Sequence, residues 1–129
     1  MMITVNFKKV TKQFGEKIVT DNLSFFAKSG EVFGMLGPNG AGKTTINKQM
    51  IGLLTSDKGE IEVLGFNPKK EWKNIRRQIG FVPQETALYP ELSARMNLEF
   101  HASLYLDSMK NAKKRINEIL ELVDLTPRA

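Results

Sequence analysis

Lys43 and Thr44 close a loop, Gly37 to Thr45, that reads GPNGAGKTT. Glycines at 37, 40 and 42 keep side-chain bulk out of it, so backbone N–H groups can converge on one small anionic space. Lysine supplies a mobile positive charge for the outer oxygens of a polyphosphate, and a threonine hydroxyl beside it suits a Mg²⁺ ligand. Gly37, Gly42, Lys43 and Thr44 match the spacing GxxxxGK[ST] in full. The competing reading is a glycine-rich turn with a surface lysine. It is disfavoured because of what flanks the loop.

Before the loop runs an apolar stretch, Val32 to Leu36, and after it a helix-compatible segment from Lys43 to Leu54. Strand, loop and helix in that order aim the first-turn N–H groups and the positive end of the helix dipole at the same anion. Nearer the N-terminus, Ile3, Val5 and Phe7 alternate with polar residues, the period of a half-buried strand. Thr11 to Lys17 reads as a turn around Phe14 and Gly15, and an extended piece from Ile18 through Leu23 to Ala27 completes an antiparallel pair. Beyond the loop helix, Ser56 to Gly59 is a turn, Ile61 and Val63 a short strand, and Glu71 to Arg77 a short helix. Ile79 to Val82 reads as a buried strand ended by Pro83, and 83–92 as a loop. Ser93 is placed to cap a helix reaching Leu106. Asp107 or Ser108 starts another, with Met109, Ala112, Ile116, Ile119, Leu120 and Val123 on one face until Pro127 stops the pattern.

At 129 residues the chain holds one domain at most. Its 41% hydrophobic and 26% charged residues are an ordinary globular balance. A net charge of +5 permits nucleic acid, an anionic membrane surface or a nucleotide as partner. With no cysteine, disulfides, thiolate metal sites and cysteine nucleophiles are excluded. No run of about 18 apolar residues occurs, so contact with a membrane is expected to come through a partner.

Several separate stretches coincide with one family. GPNGAGKTT, the glycines Gly59 and Gly65, and IGFVPQE from Ile79 to Glu85 resemble the Walker A, the following glycines and the Q-loop of the ATP-binding domain of ABC transporters. The resemblance covers essentially all 129 residues. It implies an α/β fold of the P-loop NTPase type: antiparallel strands, a phosphate-loop strand and helix, and the start of a helical subdomain. Residues 1–92 would be the ATP-binding core and 93–129 the start of that subdomain. ATP and Mg²⁺ are the implied ligands, with Gly37, Asn39, Gly40, Ala41, Gly42, Lys43, Thr44 and Thr45 around the phosphates. Gln84 becomes the Q-loop glutamine, which approaches Mg²⁺ and the attacking water, so that Lys43 and Gln84 are the catalytic candidates and Thr44 and Gln84 the metal ligands. A neutral amide can orient water or ligate a metal while adding no charge beside phosphates. Phe14, in KQFGEK, matches the aromatic that stacks on adenine; packing under its own turn is the alternative. Pro83 to Leu92 would meet a membrane-spanning permease, and a second nucleotide-binding subunit would complete a dimer. The implied place is the cytoplasmic side of the membrane.

The wording of the loop, the QET of the Q-loop and the stretch from Leu88 to Tyr105 look most like the branch that exports drugs, polysaccharides or lipids. One departure is Met96, where the family carries an acidic residue, so that Ser93 caps without a reciprocal partner. The signature, Walker B, catalytic glutamate and switch histidine of such proteins have no counterpart in this sequence. The expectation is a fragment or truncated product that binds nucleotide weakly, does not turn it over and is poorly soluble alone, because Val32 to Leu36 would lack its parallel neighbours. Two rival readings stay open: an ABC-type ATPase acting on ribosomes or nucleic acid, and a short nucleotide-binding module without turnover. Nucleic acid is the less favoured partner. Trp72 among Lys69, Lys70, Lys73, Arg76 and Arg77 reads as a solvated helical face with one packed aromatic, and His101 as a helix-face residue.

Overall fold

The computed structural model describes residues 2–85, 87–105 and 109–126, with the backbone alone for 109–111. Two compact units divide at Gly80 and Phe81. In the first, β1 (Ile3–Phe14) and β2 (Lys17–Lys28) form a long antiparallel hairpin, and β3 (Lys58–Val63) pairs antiparallel with the other edge of β1. The sheet order is therefore β2-β1-β3.

Along β1 the alternation of buried and exposed residues breaks at Lys8 and Lys9. Lys9 takes a positive φ of 50° and the ladder to β2 slips between Phe7 and Val10. This bulge absorbs one residue, so Phe7, Val10 and Lys12 all come out buried. Gly59 lies opposite: a Cβ there would sit 2.3 Å from the Lys9 carbonyl oxygen. The expected turn over Thr11 to Lys17 is mostly strand, since Lys12, Gln13 and Phe14 pair with Thr20, Ile18 and Lys17 and the reversal is confined to Gly15 and Glu16.

Helix α1 (Lys43–Met50) and helix α2 (Pro68–Arg76) cover the sheet. Phe7, Val10, Ile46, Ile61, Val63 and Ile75 form the core, and Phe7, Phe25 and Phe33 continue it as two successive ring stacks at 4.6 and 5.1 Å. The loop helix stops four residues earlier than its apolar pattern suggested, at Met50, with a turn through Gly52. Asn67 caps α2: its side-chain oxygen accepts from the Lys69 N–H, and Glu71 accepts from the Asn67 N–H.

Two expected strands do not form. Val32 to Leu36 and Ile79 to Val82 are irregular and have no ladder partner among the described residues. A strand is held by its neighbours' backbone groups, and alternation of side chains alone does not supply them. Phe33 and Met35 still turn toward the core, while Val32 and Leu36 are fully exposed, which leaves one apolar face of the segment open.

In the second unit, α3 (Ala94–Tyr105) packs against α4 (Met109–Leu122). Ala112, Ile116 and Leu120 are buried against Ala94, Leu98 and Ala102. Val123, expected on the same face, is exposed because it lies past the last helical turn. Ser93 caps α3 as the sequence indicated, accepting from the Met96 N–H at 3.2 Å. The expected helix start at Asp107 or Ser108 and the stop at Pro127 fall outside the described residues.

Candidate functional site

The loop from Gly37 to Thr45 delivers the chain into α1 through Gly42, which caps the helix in the left-handed region at φ 92°. A Cβ on Gly42 would meet the Val19 carbonyl oxygen at 3.0 Å and the Thr20 methyl at 3.5 Å. Glycine thus lets the loop rest on the backbone of β2 and start a helix at once. No side chain caps α1, and no acidic residue stands in its first turn. Among the described residues, no acceptor pairs with the N–H groups of Gly40, Gly42, Lys43, Thr44 or Thr45. Five donors at the positive end of a helix dipole form a cradle for an anion.

Lys43 bends back onto its own loop. Its ammonium donates to the carbonyl oxygens of Gly37 and Pro38, the latter at 2.8 Å, which holds a positive charge at the rim. A crevice of about 380 Å³ lies alongside, lined by Ala41, Lys43, Val19, Thr20, Phe25 and Phe33 among others. Thr44 is exposed at the head of α1. The donor set and the lysine fit a polyphosphate, and the Thr44 hydroxyl is the group there suited to a hard divalent cation. Among the described residues no cluster of three or more carboxylates or histidines forms a metal cage.

Phe14 sits at the tip of the β1–β2 hairpin, half-exposed, with the Lys12 ammonium 5.2 Å from its ring centre. Gln84 belongs to the second unit and is exposed there. His101 lies on α3 with Nε2 3.2 Å from the Ala87 carbonyl oxygen. Trp72 carries Arg76 at 4.5 Å and Lys73 at 5.5 Å from its ring centre, an exposed aromatic beside its own helix's cations.

Residues 20–129 match the ABC transporter family. The chain belongs to that family. It is 46% identical over 122 residues to the linearmycin resistance ATP-binding protein LnrL of Bacillus subtilis, which covers 95% of this chain and 39% of the relative. It is 42% identical over 127 residues to the Nod factor export ATP-binding protein I of Mesorhizobium japonicum, covering 98% of this chain and 37% of the relative. Among solved structures, a dimeric post-hydrolysis state of an ATP-binding cassette bound to ADP and Pi matches with a TM-score of 0.76 at 31% identity, over 93% of this chain and 57% of that one. The fold is thus that of the ABC-type P-loop ATPase. The chain spans about two fifths of the length of these curated relatives.

Three residues with evident structural roles were not singled out by the sequence. Asn97, inside α3, is buried and closes the preceding loop through four hydrogen bonds. Lys12 and Asp57 form an ion pair at 2.8 Å beside Phe14. A polar residue amid apolar neighbours was the only signal for Asn97, and the Lys12–Asp57 pair spans too much sequence to leave one.

Proposed function

We propose that this chain is the nucleotide-binding portion of an ATP-driven transport protein and takes ATP with Mg²⁺ on the Gly37–Thr45 loop. The carrying observation is the set of five N–H groups at the start of α1 that have no acceptor among the described residues, in the loop whose carbonyls hold the Lys43 ammonium. On this reading Lys43 exchanges its two loop carbonyls for phosphate oxygens, with the backbone from Gly37 to Thr45 around them. Thr44 holds Mg²⁺, and Gln84 takes the metal- and water-directed role that the family resemblance implies. Phe14 stacks on the base. Bound ATP supplies the phosphoryl group whose transfer to water drives the intact protein.

Residues 1–92 are assigned to the ATP-binding core and 93–129 to the start of the helical subdomain. Pro83 to Leu92 is assigned to the contact with a membrane-spanning permease on the cytoplasmic side, and a second nucleotide-binding subunit to the dimer. The names of the resistance and export relatives support export as the direction. Turnover is assigned to the whole protein and binding to this chain.

Titration of the purified chain with ATP, ADP and AMP in the presence of Mg²⁺ tests the assignment. Affinity is expected to rise with phosphate number, with no phosphate released from ATP. Equal affinity for AMP and ATP overturns the loop as the binding site, and steady phosphate release overturns the assignment of turnover to the whole protein.

A further inference from the structure

A buried lysine needs a partner, and Lys12 is 9% exposed. It reaches the inner side of β1 because the bulge at Lys9 resets the alternation, which also places Phe14 two residues further on the same side. Its partner comes from 45 residues away: Lys12 Nζ donates to Asp57 Oδ1 at 2.8 Å. The other carboxylate oxygen accepts from the Gln13 N–H at 2.8 Å, and the Asp57 N–H donates to the Thr11 carbonyl at 3.0 Å. Three consecutive residues of β1 are therefore tied to one aspartate. The Gln13 amide then donates to the Gly15 carbonyl and closes the hairpin tip.

We propose that Asp57 is a positioning residue for the nucleotide base, acting through Lys12 and Gln13 to fix the ring of Phe14. This rests on the reading of Phe14 as the base-stacking residue. The Lys12 ammonium lies over that ring, and about half of Phe14 remains exposed. A cation at one side of an aromatic ring anchors it, leaving the exposed part to stack on a base. The tip is also close to the phosphate cradle, because Lys12 pairs across the hairpin with Thr20, the residue whose methyl abuts Gly42. Phe14 stands two residues, roughly 7 Å, along the strand from that point. One aspartate on the Ser56–Gly59 turn thus sets how the base platform stands relative to the phosphate loop.

The test separates base from phosphate by measuring affinity for Mg-ATP and for inorganic tripolyphosphate with Mg²⁺. The variants are Asp57→Asn, Asp57→Glu, Lys12→Met and Phe14→Ala. Asp57→Asn and Lys12→Met are expected to weaken ATP on the order of tenfold, the scale of one base stack, and to leave tripolyphosphate within about twofold; Asp57→Glu recovers part of the loss. Asp57→Asn removes a negative charge, so a bulk electrostatic effect has the opposite sign and strengthens both ligands. If Phe14→Ala weakens ATP but neither Asp57→Asn nor Lys12→Met does, or if these two weaken both ligands alike, the positioning role is wrong. If Phe14→Ala leaves ATP affinity unchanged, the base-stacking reading itself fails and takes the inference with it. Should Asp57→Asn not fold, Lys12→Met carries the same readout.

Discussion

The ammonium of Lys43 lies 2.8 Å from the carbonyl oxygen of Pro38, five residues back in its own loop. The contact is exposed, as is its companion to Gly37. Exposed hydrogen bonds of this kind contribute little net stability, because water replaces them. Lys43→Ala should therefore shift unfolding by no more than about 1 kcal/mol while lowering ATP affinity by more than about tenfold, a loss of over 1.4 kcal/mol. Urea denaturation and nucleotide titration of the same sample give both numbers. Unchanged affinity would remove Lys43 from the site, and a collapse in stability would make it a structural residue first.

Asp57 makes stability pH-dependent in a stated direction. The hydrogen bond from Lys12, then that from the Gln13 N–H, hold its carboxyl below the ordinary value of 3.8. A folded-state pKa lower than the unfolded one means that the ionised form favours the fold. The contribution is complete above the unfolded carboxylate value and fades as pH drops through the depressed one. The gap in urea midpoint between the natural chain and Asp57→Asn should thus be widest near neutral pH and shrink below pH 3.8. A gap that stays constant across that range shows that the carboxylate's charge plays no part.

Much of this was legible because the signals are local. Glycine spacing placed the phosphate loop, Ser93 its helix start, and three- and four-residue spacing the buried face of Ala112, Ile116 and Leu120. What was not legible depends on partners elsewhere in the chain. Val32 to Leu36 has strand composition, yet no ladder partner among the described residues gives it strand structure. The bulge at Lys9 is invisible in β1's own sequence, since it is completed by Gly59 across the sheet. Thr11 to Phe14 looked like a turn because Gly15 dominates the local signal, whereas pairing with β2 draws them into the ladder. The candidate site divides the same way: Lys43 and Thr44 come from a motif, and Asp57 from a long-range contact.

Asn97 shows how much one buried amide can hold. Its Oδ1 accepts from the Tyr89 N–H at 2.8 Å, and its Nδ2 lies 3.0 to 3.1 Å from the carbonyls of Tyr89, Leu92 and Ser93. These bonds tie the end of the 83–92 loop to the first turns of α3. Asn97→Ala strands several of those groups, at a cost of about 2–4 kcal/mol. Asn97→Asp keeps the acceptor but loses the donors, so it should be nearly as harmful. Proteolysis within 83–92 is expected to accelerate in both variants. Cleavage at the natural rate would show that the loop is held by something other than Asn97.

Gly59 and Gly65 offer a matched pair that separates two reasons for glycine. Their φ angles are nearly equal, +82° and +81°, so any side chain meets the same backbone strain at either position. Their surroundings differ. A Cβ on Gly65 has nothing within 4 Å, whereas on Gly59 it would lie 2.3 Å from the Lys9 carbonyl oxygen and 2.5 Å from that of Lys8. Backbone cannot move aside there without opening the β1–β3 ladder at Lys8–Glu60. Gly65→Ala should therefore cost about 1 kcal/mol from left-handed strain alone, and Gly59→Ala at least about 2 kcal/mol more. Because the bulge that faces Gly59 also sends Lys12 inward, Gly59→Ala should weaken ATP binding along with stability, while Gly65→Ala should leave ATP affinity intact. Equal costs in urea denaturation would show that the Lys9 bulge yields easily, and the link from Gly59 through Lys12 to Phe14 would then not hold.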